Sequence, residues 1–116
     1  MLACLSGLSP AFAQVSSFTD QTTAAGLGNT FTTIGLVNPI LGGGVVADFN
    51  RDGWQDIFYP TGRNGADKLF INNSNGTFTD RAADWGINTV HLSSAAAVGD
   101  YNGDDLPDIF VTCFGP

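Results

Sequence analysis

A nine-residue acidic stretch occurs twice in this chain and constrains its fold more than any other feature. The first copy is DFNRDGWQD at residues 48–56, and the second is DYNGDDLPD at residues 100–108, fifty-two residues later. Both copies carry side-chain oxygens at positions 1, 3, 5 and 9, and position 6 holds Gly53 or Asp105, residue types that tolerate positive φ. This spacing predicts a tight loop whose oxygens turn inward, an arrangement that binds a hard cation.

The charge of the two acidic loops favours calcium as that cation. Three carboxylates within ~5 Å of one another repel by about 3 kcal/mol per pair at an effective dielectric near 20. Arg51 in the first loop is matched by the neutral Gly103 in the second, so no basic residue is regularly placed to relieve the repulsion. Calcium accepts about six to eight oxygen ligands in irregular geometry, whereas zinc prefers His or Cys. The predicted ligands are the side chains at positions 1, 3, 5 and 9 and the carbonyl at position 7: Asp48, Asn50, Asp52, Asp56 and Trp54, then Asp100, Asn102, Asp104, Asp108 and Leu106.

The residues around each loop exclude the helical calcium motif. An EF-hand requires an acidic ligand at position 12 and a helix on both sides, but position 12 is Tyr59 in one copy and Val111 in the other. Each loop is preceded by short apolar residues at 44–47 or 95–98, and followed by β-branched and aromatic residues at 57–59 or 109–111. These flanks are typical of strands, so we predict that each loop joins two strands.

Each acidic loop and its two flanking strands resemble the calcium-loop repeat of the FG-GAP and VCBS families, which build integrin-α-type β-propellers. The resemblance rests on the loop pattern D-x-N-x-D-G-x-x-D-[IL] between two strands. Residues 68–80, KLFINNSNGTFTD, are similar to a hairpin of the secreted subgroup that includes the ASPIC/UnbV and cartilage acidic proteins. The resemblance implies an all-β fold of four-stranded antiparallel blades in a calcium-loop β-propeller, incomplete in this chain. Two departures are Asp105 in place of the position-6 Gly and the lack of an intact Phe-Gly followed by Gly-Ala-Pro.

A second repeat fixes the expected blade boundaries. Residues 17–27 recur as residues 77–87 at an offset of sixty, so residues 29–43 carry an insertion that we predict to be a surface loop. Strands are predicted near 44–48, 56–60, 68–72 and 77–80, and four short strands in such a period match one propeller blade. The predicted division is a partial blade at 14–43, a full blade at 44–87 and a half blade at 88–116. Because a propeller needs about four to eight blades, we expect missing blades, or a strand that pairs with residues 17–20, from the same longer chain.

The N-terminus and the cysteines bear on the compartment. Residues 1–13 combine a short apolar run with an Ala-x-Ala cleavage site and are predicted to be a signal peptide, although a positively charged start is missing. The alternative is a buried N-terminal strand. A signal peptide implies a secreted, periplasmic or cell-surface protein and would remove Cys4. Cys113 then either pairs outside this sequence or is a buried free thiol, and its place in an apolar strand favours the buried thiol.

Composition narrows the classes of function. All eleven acidic residues are Asp, and seven of them lie in the two loops, so most of the net charge of −7 belongs to the predicted metal sites. The four scattered basic residues offer no footprint for nucleic acid. No membrane span is expected, and His91, the only His, has no nucleophile or acid arranged around it in the sequence. Trp54 and Trp85 are interpreted as packing residues in preference to sugar-stacking platforms.

Two functions remain open. The first is a non-enzymatic, calcium-stabilised scaffold for extracellular adhesion or interaction, which would bind a protein or glycan ligand through propeller loops. The alternative is the propeller portion of a secreted hydrolase whose catalytic residues lie outside this sequence.

Overall fold

The computed structural model describes residues 17–28, 43–62 and 65–114, and these residues form two antiparallel sheets. The first sheet has the strand order β1-β2-β3-β4 and the second sheet pairs β5 with β6. The predicted four-stranded antiparallel sheet and the strand pair around the second loop are therefore confirmed. The bounds are β1 Val45–Ala47, β2 Asp56–Tyr59, β3 Lys68–Asn72, β4 Phe78–Asp80, a 3-10 turn Ala83–Trp85, β5 Ser93–Gly99 and β6 Asp108–Cys113. In the described parts of the chain, no helix is both long and apolar enough to cross a membrane.

Two predicted features lie wholly or mostly outside the described residues, and one described segment does not form its predicted strand. The signal peptide at 1–13 lies outside the described residues, as does all of the predicted surface loop 29–43 except Gly43. Residues 17–20, the candidate for a strand completed by another part of the protein, are described but form no strand. The Phe18 side chain there is 98% exposed.

Alternation along the strands gives each sheet two different faces. On β2, Asp56 and Phe58 are buried while Ile57 and Tyr59 are half-buried. The register places Val45 opposite Phe58, so both project from the same side of the sheet. We call the Phe58 side of the first sheet its front face, and the Ile57 side its back face.

The hydrophobic core lies between the two sheets. Its buried members come from the first sheet and its adjoining loop and turn, and partly buried residues of the second sheet pack against them. Burial of a large apolar side chain contributes about 1.5–3 kcal/mol, so this contact is the main apolar link between the sheets. The buried members are Phe49, Phe58, Leu69 and Ala82, and the second sheet contributes Ala96, Ile109 and Val111.

The sixty-residue repeat also has the same local structure in both copies. The Asp20 carboxylate accepts the Thr22 N–H at 2.9 Å, and the Asp80 carboxylate accepts the Ala82 N–H at 3.1 Å. A left-handed glycine then ends each turn, with φ of 75° at Gly26 and 78° at Gly86. The repeat predicted from sequence is thus an Asp-capped turn that closes on glycine.

Two predictions about side-chain burial are wrong. Cys113 is an exposed free cysteine among the described residues, because it ends an edge strand in a sheet of only two strands. Trp54 and Trp85 are 50% and 48% exposed and contribute nothing to the buried core. An apolar residue in a strand is buried only when another layer covers it, and sequence alone does not show which layers are present.

Candidate metal centre

The two acidic loops lie where the sequence predicted them, between paired strands. Residues 48–55 connect β1 to β2, and residues 100–107 connect β5 to β6. Ala47 is paired with Asp56 and Gly99 with Asp108, so each loop is closed at its base by an antiparallel pair that includes its position-9 Asp. Strand pairing therefore brings positions 1 and 9 of each loop close together.

The side chains of the first loop are held by its own backbone. Asp48 accepts the Asp52 N–H at 3.0 Å through Oδ1 and the Gly53 N–H at 2.8 Å through Oδ2. The side-chain oxygen Oδ1 of Asn50 accepts the same Asp52 N–H at 3.0 Å, and Asp52 Oδ1 accepts the Trp54 N–H at 2.8 Å. Because Asp48 and Asn50 share one N–H group, the oxygens at positions 1 and 3 are neighbours.

The second loop repeats these four bonds and adds a fifth, from the Gly103 N–H to Asp100 at 2.7 Å. Asp100 accepts the Asp104 N–H at 3.2 Å and the Asp105 N–H at 2.9 Å. Asn102 accepts the Asp104 N–H at 3.0 Å, and Asp104 accepts the Leu106 N–H at 2.8 Å. Two loops that share only part of their sequence thus converge on one backbone shape, because the side chains at positions 1, 3 and 5 are the same.

The left-handed residues of the loops were only partly predicted. Position 6 adopts positive φ in both copies, 88° at Gly53 and 62° at Asp105, as expected from their residue types. Position 4 is also left-handed, with φ of 61° at Arg51 and 78° at Gly103. The positive φ of Arg51 could have been predicted from Gly103, the glycine at the matching position of the second loop.

The position-9 aspartates hold the loops to the sheets. Asp56 is wholly buried, and its Oδ2 accepts the Phe49 N–H at 2.9 Å. Its Oδ1 accepts the N–H of Asn72, the last residue of β3, at 2.8 Å. In the second loop, Asp108 makes the bond that corresponds to the one with Phe49, because it accepts the Tyr101 N–H at 2.8 Å. Asp56 therefore joins the loop, β2 and β3, which the sequence pattern did not reveal.

The two acidic loops are adjacent in space. The Arg51 guanidinium of the first loop donates a hydrogen bond to the backbone carbonyl of Asp105 in the second. The Arg51 side chain thus connects the two loops, which lie at the same end of the two sheets.

The electrostatics of the second loop favour the ionised carboxylate at position 1. Hydrogen bonding from the Asp105 N–H is the largest cause that lowers the pKa of Asp100, and the N–H groups of Gly103 and Asp104 act in the same direction. Together these bonds outweigh the opposing effect of burial, which by itself raises the pKa of Asp100. A carboxylate that stays charged in this way is a suitable ligand for a cation.

The donor atoms of the two loops are those that a hard cation binds, but the structure does not gather the three carboxylates of either loop into one group. Within the described ranges, no three His, Cys, Asp or Glu side chains form a group that could hold a metal ion. The loops combine Asp carboxylates with an Asn carbonyl, and each oxygen that accepts one N–H retains a second lone pair. All side-chain donors are oxygens, as calcium prefers. The backbone N–H groups of Trp54 and Leu106 donate hydrogen bonds to the position-5 carboxylates. The backbone carbonyls of the same two residues remain predicted ligands.

A second polar cluster, which the sequence did not indicate, lies between the sheets. The buried Ser93 hydroxyl donates to Asp67 Oδ1 at 2.6 Å and accepts the Gly62 N–H at 3.3 Å. The same Asp67 oxygen accepts the Thr61 N–H at 2.8 Å. Asp67 is only 4% exposed, so this cluster ties the β2–β3 connection to the start of β5 in a place from which water is largely excluded.

Comparison with known families agrees with the geometry of the loops. A family described as FG-GAP-like repeat matches residues 48–111, from the first acidic loop to the strand after the second. This match covers more than half of the chain. A search of curated proteins gave no match.

Proposed function

Because the chain belongs to the FG-GAP-like repeat family, we propose that it is a secreted, calcium-binding interaction module in which each acidic loop holds one calcium ion. The observation that carries this proposal is the shared hydrogen-bond network of the two loops, which presents the same oxygen donors at the same positions twice. Repetition at two sites favours a structural role for the carboxylates over acid–base catalysis. The family match supports a β-propeller as the architecture to which the two sheets belong.

The proposed ligands are the residues predicted from the sequence, with position 9 in a double role. Asp48, Asn50 and Asp52 would contribute side-chain oxygens in the first loop, and their counterparts would do so in the second. Asp56 and Asp108 would contribute remaining lone pairs while holding the loop backbone. A bound calcium ion supplies two positive charges that offset the repulsion among these carboxylates.

The calcium half of the proposal is tested by isothermal titration calorimetry on the calcium-free chain. The expected result is binding with a dissociation constant on the order of 10⁻⁴ to 10⁻³ M, the range of extracellular modules, and a higher melting temperature with calcium. Magnesium should bind more weakly because it requires a stricter octahedral geometry. A folded chain that gives no heat at millimolar calcium would overturn the proposal.

The interaction half concerns an extracellular protein or glycan ligand held by loop residues. Two aromatic side chains of the acidic loops are available for it, because Trp54 is 50% exposed and Tyr101 is 96% exposed. Exposed aromatic residues on a rigid loop are favourable contacts for both kinds of ligand. Screening the chain against arrayed glycans and extracellular proteins, with and without EDTA, should give a ligand whose binding falls on Trp54→Ala. Binding that is unaffected by both Trp54→Ala and Tyr101→Ala would assign recognition to other loops.

The extracellular location is tested separately. Expression of the full sequence in a secreting host, followed by N-terminal sequencing of the exported protein, should show a mature chain that begins at Gln14. An uncleaved protein retained inside the cell would contradict the signal peptide predicted at residues 1–13.

A further inference from the structure

The connection between β3 and β4 contains two acceptor sequences for N-linked glycosylation. Residues 72–74 are Asn-Asn-Ser and residues 75–77 are Asn-Gly-Thr, and both fit the pattern Asn-x-Ser/Thr. The pattern alone does not distinguish such an acceptor from an ordinary turn, in which Asn and Gly are also common. The contacts of Asn72 and Asn75 in the folded chain separate these alternatives.

The hairpin of β3 and β4 lies at the edge of the first sheet that is away from the second sheet. The second sheet adjoins β1, because the Ala96 N–H of β5 donates to the carbonyl of Gly43, just before β1, at 2.9 Å. In the strand order of the first sheet, β3 and β4 are the two strands furthest from β1. Residues 73–76 at the tip of the hairpin are all exposed, so a group attached there extends into solvent.

The Asn75 side chain is held by the hydroxyl-bearing residue of its own acceptor sequence. Asn75 Oδ1 accepts the Thr77 N–H at 3.0 Å and the Thr77 hydroxyl at 2.6 Å. Gly76 between them has a φ of 84°, which lets the chain fold back so that Thr77 reaches Asn75. Both of these bonds end on the carboxamide oxygen, so the amide nitrogen Nδ2, the atom that would carry a sugar, is not used to hold this turn.

The Asn72 side chain is used by the fold in a different way. Its Nδ2 donates to the Gln55 carbonyl at 3.0 Å, and its Oδ1 accepts the Ser74 N–H at 2.9 Å. Its backbone N–H also donates to the buried Asp56 at 2.8 Å. A sugar on this half-buried Asn72 nitrogen would compete with the Gln55 bond for the space beside the first acidic loop.

We propose that Asn75 is an N-glycosylation site, modified during export by an oligosaccharyltransferase, and that Asn72 stays unmodified. Asn75 Nδ2 loses a proton and bonds to the anomeric carbon of a lipid-linked oligosaccharide, and the lipid diphosphate leaves. The inference rests on the extracellular location proposed above, because the oligosaccharide donor is used in the export pathway. The glycan stands at the end of the first sheet that carries the first acidic loop, since the bond from Asn72 to Gln55 places the hairpin beside that loop.

Expression of the full sequence in cultured animal cells, in two forms, tests the site. One form relies on residues 1–13 for export, and the other carries a signal peptide of the host in front of Met1. Peptide N-glycosidase should remove one glycan and convert the residue that carried it to aspartate, which peptide mass spectrometry should locate at Asn75. Protein from the medium and from the cell lysate is examined, so a chain that enters the export pathway but is retained there also counts. If only the second form is glycosylated, the signal peptide at 1–13 is wrong and the glycosylation site stands.

Variants of the hairpin separate the acceptor role of Asn75 from its role in the turn. Asn75→Gln and Thr77→Val should abolish the glycan, whereas Thr77→Ser keeps a hydroxyl group and should retain it. Ser74→Ala is the matched control, because it removes the acceptor sequence of Asn72 and leaves that of Asn75 intact, and it should be glycosylated like the wild type. A second form that carries no glycan, a glycan found on Asn72, or a glycan that persists in Thr77→Val would overturn the proposal.

Discussion

Asp56 accepts the backbone N–H of Asn72, sixteen residues further along the chain and one strand away, at 2.8 Å. The other oxygen of the same carboxylate accepts the Phe49 N–H at 2.9 Å. One buried side chain therefore sets both the closure of the first acidic loop and the position of β3. Its counterpart Asp108 makes the loop-closing bond to Tyr101, but the second sheet ends at β6 in the described residues.

The first prediction follows from this difference. Asp56→Ala removes two hydrogen bonds to a buried charged group, so we expect the free energy of unfolding to fall by roughly 3 kcal/mol. Asp108→Ala removes one such bond in a less buried place, and we expect a loss of about 1 kcal/mol. Urea denaturation in EDTA measures both without any contribution from metal. Equal losses for the two variants would contradict the assigned role of Asp56.

The two proposed calcium sites should be separable by mutation. Asp52→Ala and Asp104→Ala each remove one position-5 carboxylate, so each should reduce the stoichiometry measured by calorimetry from two ions to one. Gln55→Ala, an exposed side chain at position 8, should leave two ions. Loss of both sites in either Asp variant would show that the Arg51 contact to Asp105 makes the loops interdependent.

The buried cluster between the sheets predicts a large effect from a small change. Ser93→Ala leaves Asp67 without its hydroxyl donor at 2.6 Å and leaves the Gly62 N–H without its acceptor. An unsatisfied buried polar group costs about 1–3 kcal/mol, and we expect a loss of about 2 kcal/mol in the free energy of unfolding. Ser94→Ala is the matched control, because its hydroxyl bonds Thr112 in an exposed place, and it should cost about 0.5 kcal/mol. Similar losses for the two serines would argue against the cluster as a tie between the sheets.

The two left-handed glycines of the sixty-residue repeat should differ in their response to alanine. Both Gly26→Ala and Gly86→Ala place a side chain at positive φ, which costs roughly 1 kcal/mol. A Cβ at Gly26 would also lie 2.7 Å from the backbone oxygen of Phe78, whereas a Cβ at Gly86 meets nothing within 4 Å. We therefore expect Gly26→Ala to release residues 17–28 from β4, where Ala25 accepts the Phe78 N–H at 2.8 Å.

Hydrogen exchange and limited proteolysis check this difference. The Phe78 amide should exchange faster, and residues 17–28 should be cleaved faster, in Gly26→Ala than in Gly86→Ala. Unchanged protection of Phe78 in Gly26→Ala would show that the turn does not dock on β4.

A pH dependence is expected from the ion pair between β3 and β4. Burial by itself raises the pKa of Asp80, but hydrogen bonds from Lys68 and from the Ala82 N–H, with the Lys68 charge, outweigh it and lower the pKa. The stabilisation is therefore fully present above the unfolded value of about 3.9 and is lost as pH falls through the lower folded value. The wild type should exceed Lys68→Met in unfolding free energy at pH 6, and the difference should shrink as the pH is lowered into the acid range. Arg81→Met, which breaks a more exposed pair with Asp84, serves as control and should show a smaller difference at pH 6.

Much of the local structure was available from the sequence because it depends on neighbours in the chain. Asp, Asn and Asp at alternate positions bond to backbone groups two to five residues away, so the loop shape at 48–56 recurs at 100–108 wherever the same side chains recur. Strand positions followed from β-branched and aromatic runs, and the left-handed Asp105 from its residue type. The same locality explains the repeated turn that Asp20 and Asp80 begin.

The tertiary structure alone decided which of these groups are covered and which distant groups they meet. Asp56 and Asp108 occupy equal places in the pattern, yet within the described residues only Asp56 has a third strand beside it, which supplies the Asn72 N–H. Phe58 and Phe110 are equivalent in sequence but are 2% and 69% exposed, because a second sheet packs on one and the described chain provides no such layer for the other. Burial depends on contacts between segments far apart in the chain, and a local pattern carries no information about whether the opposing layer is present.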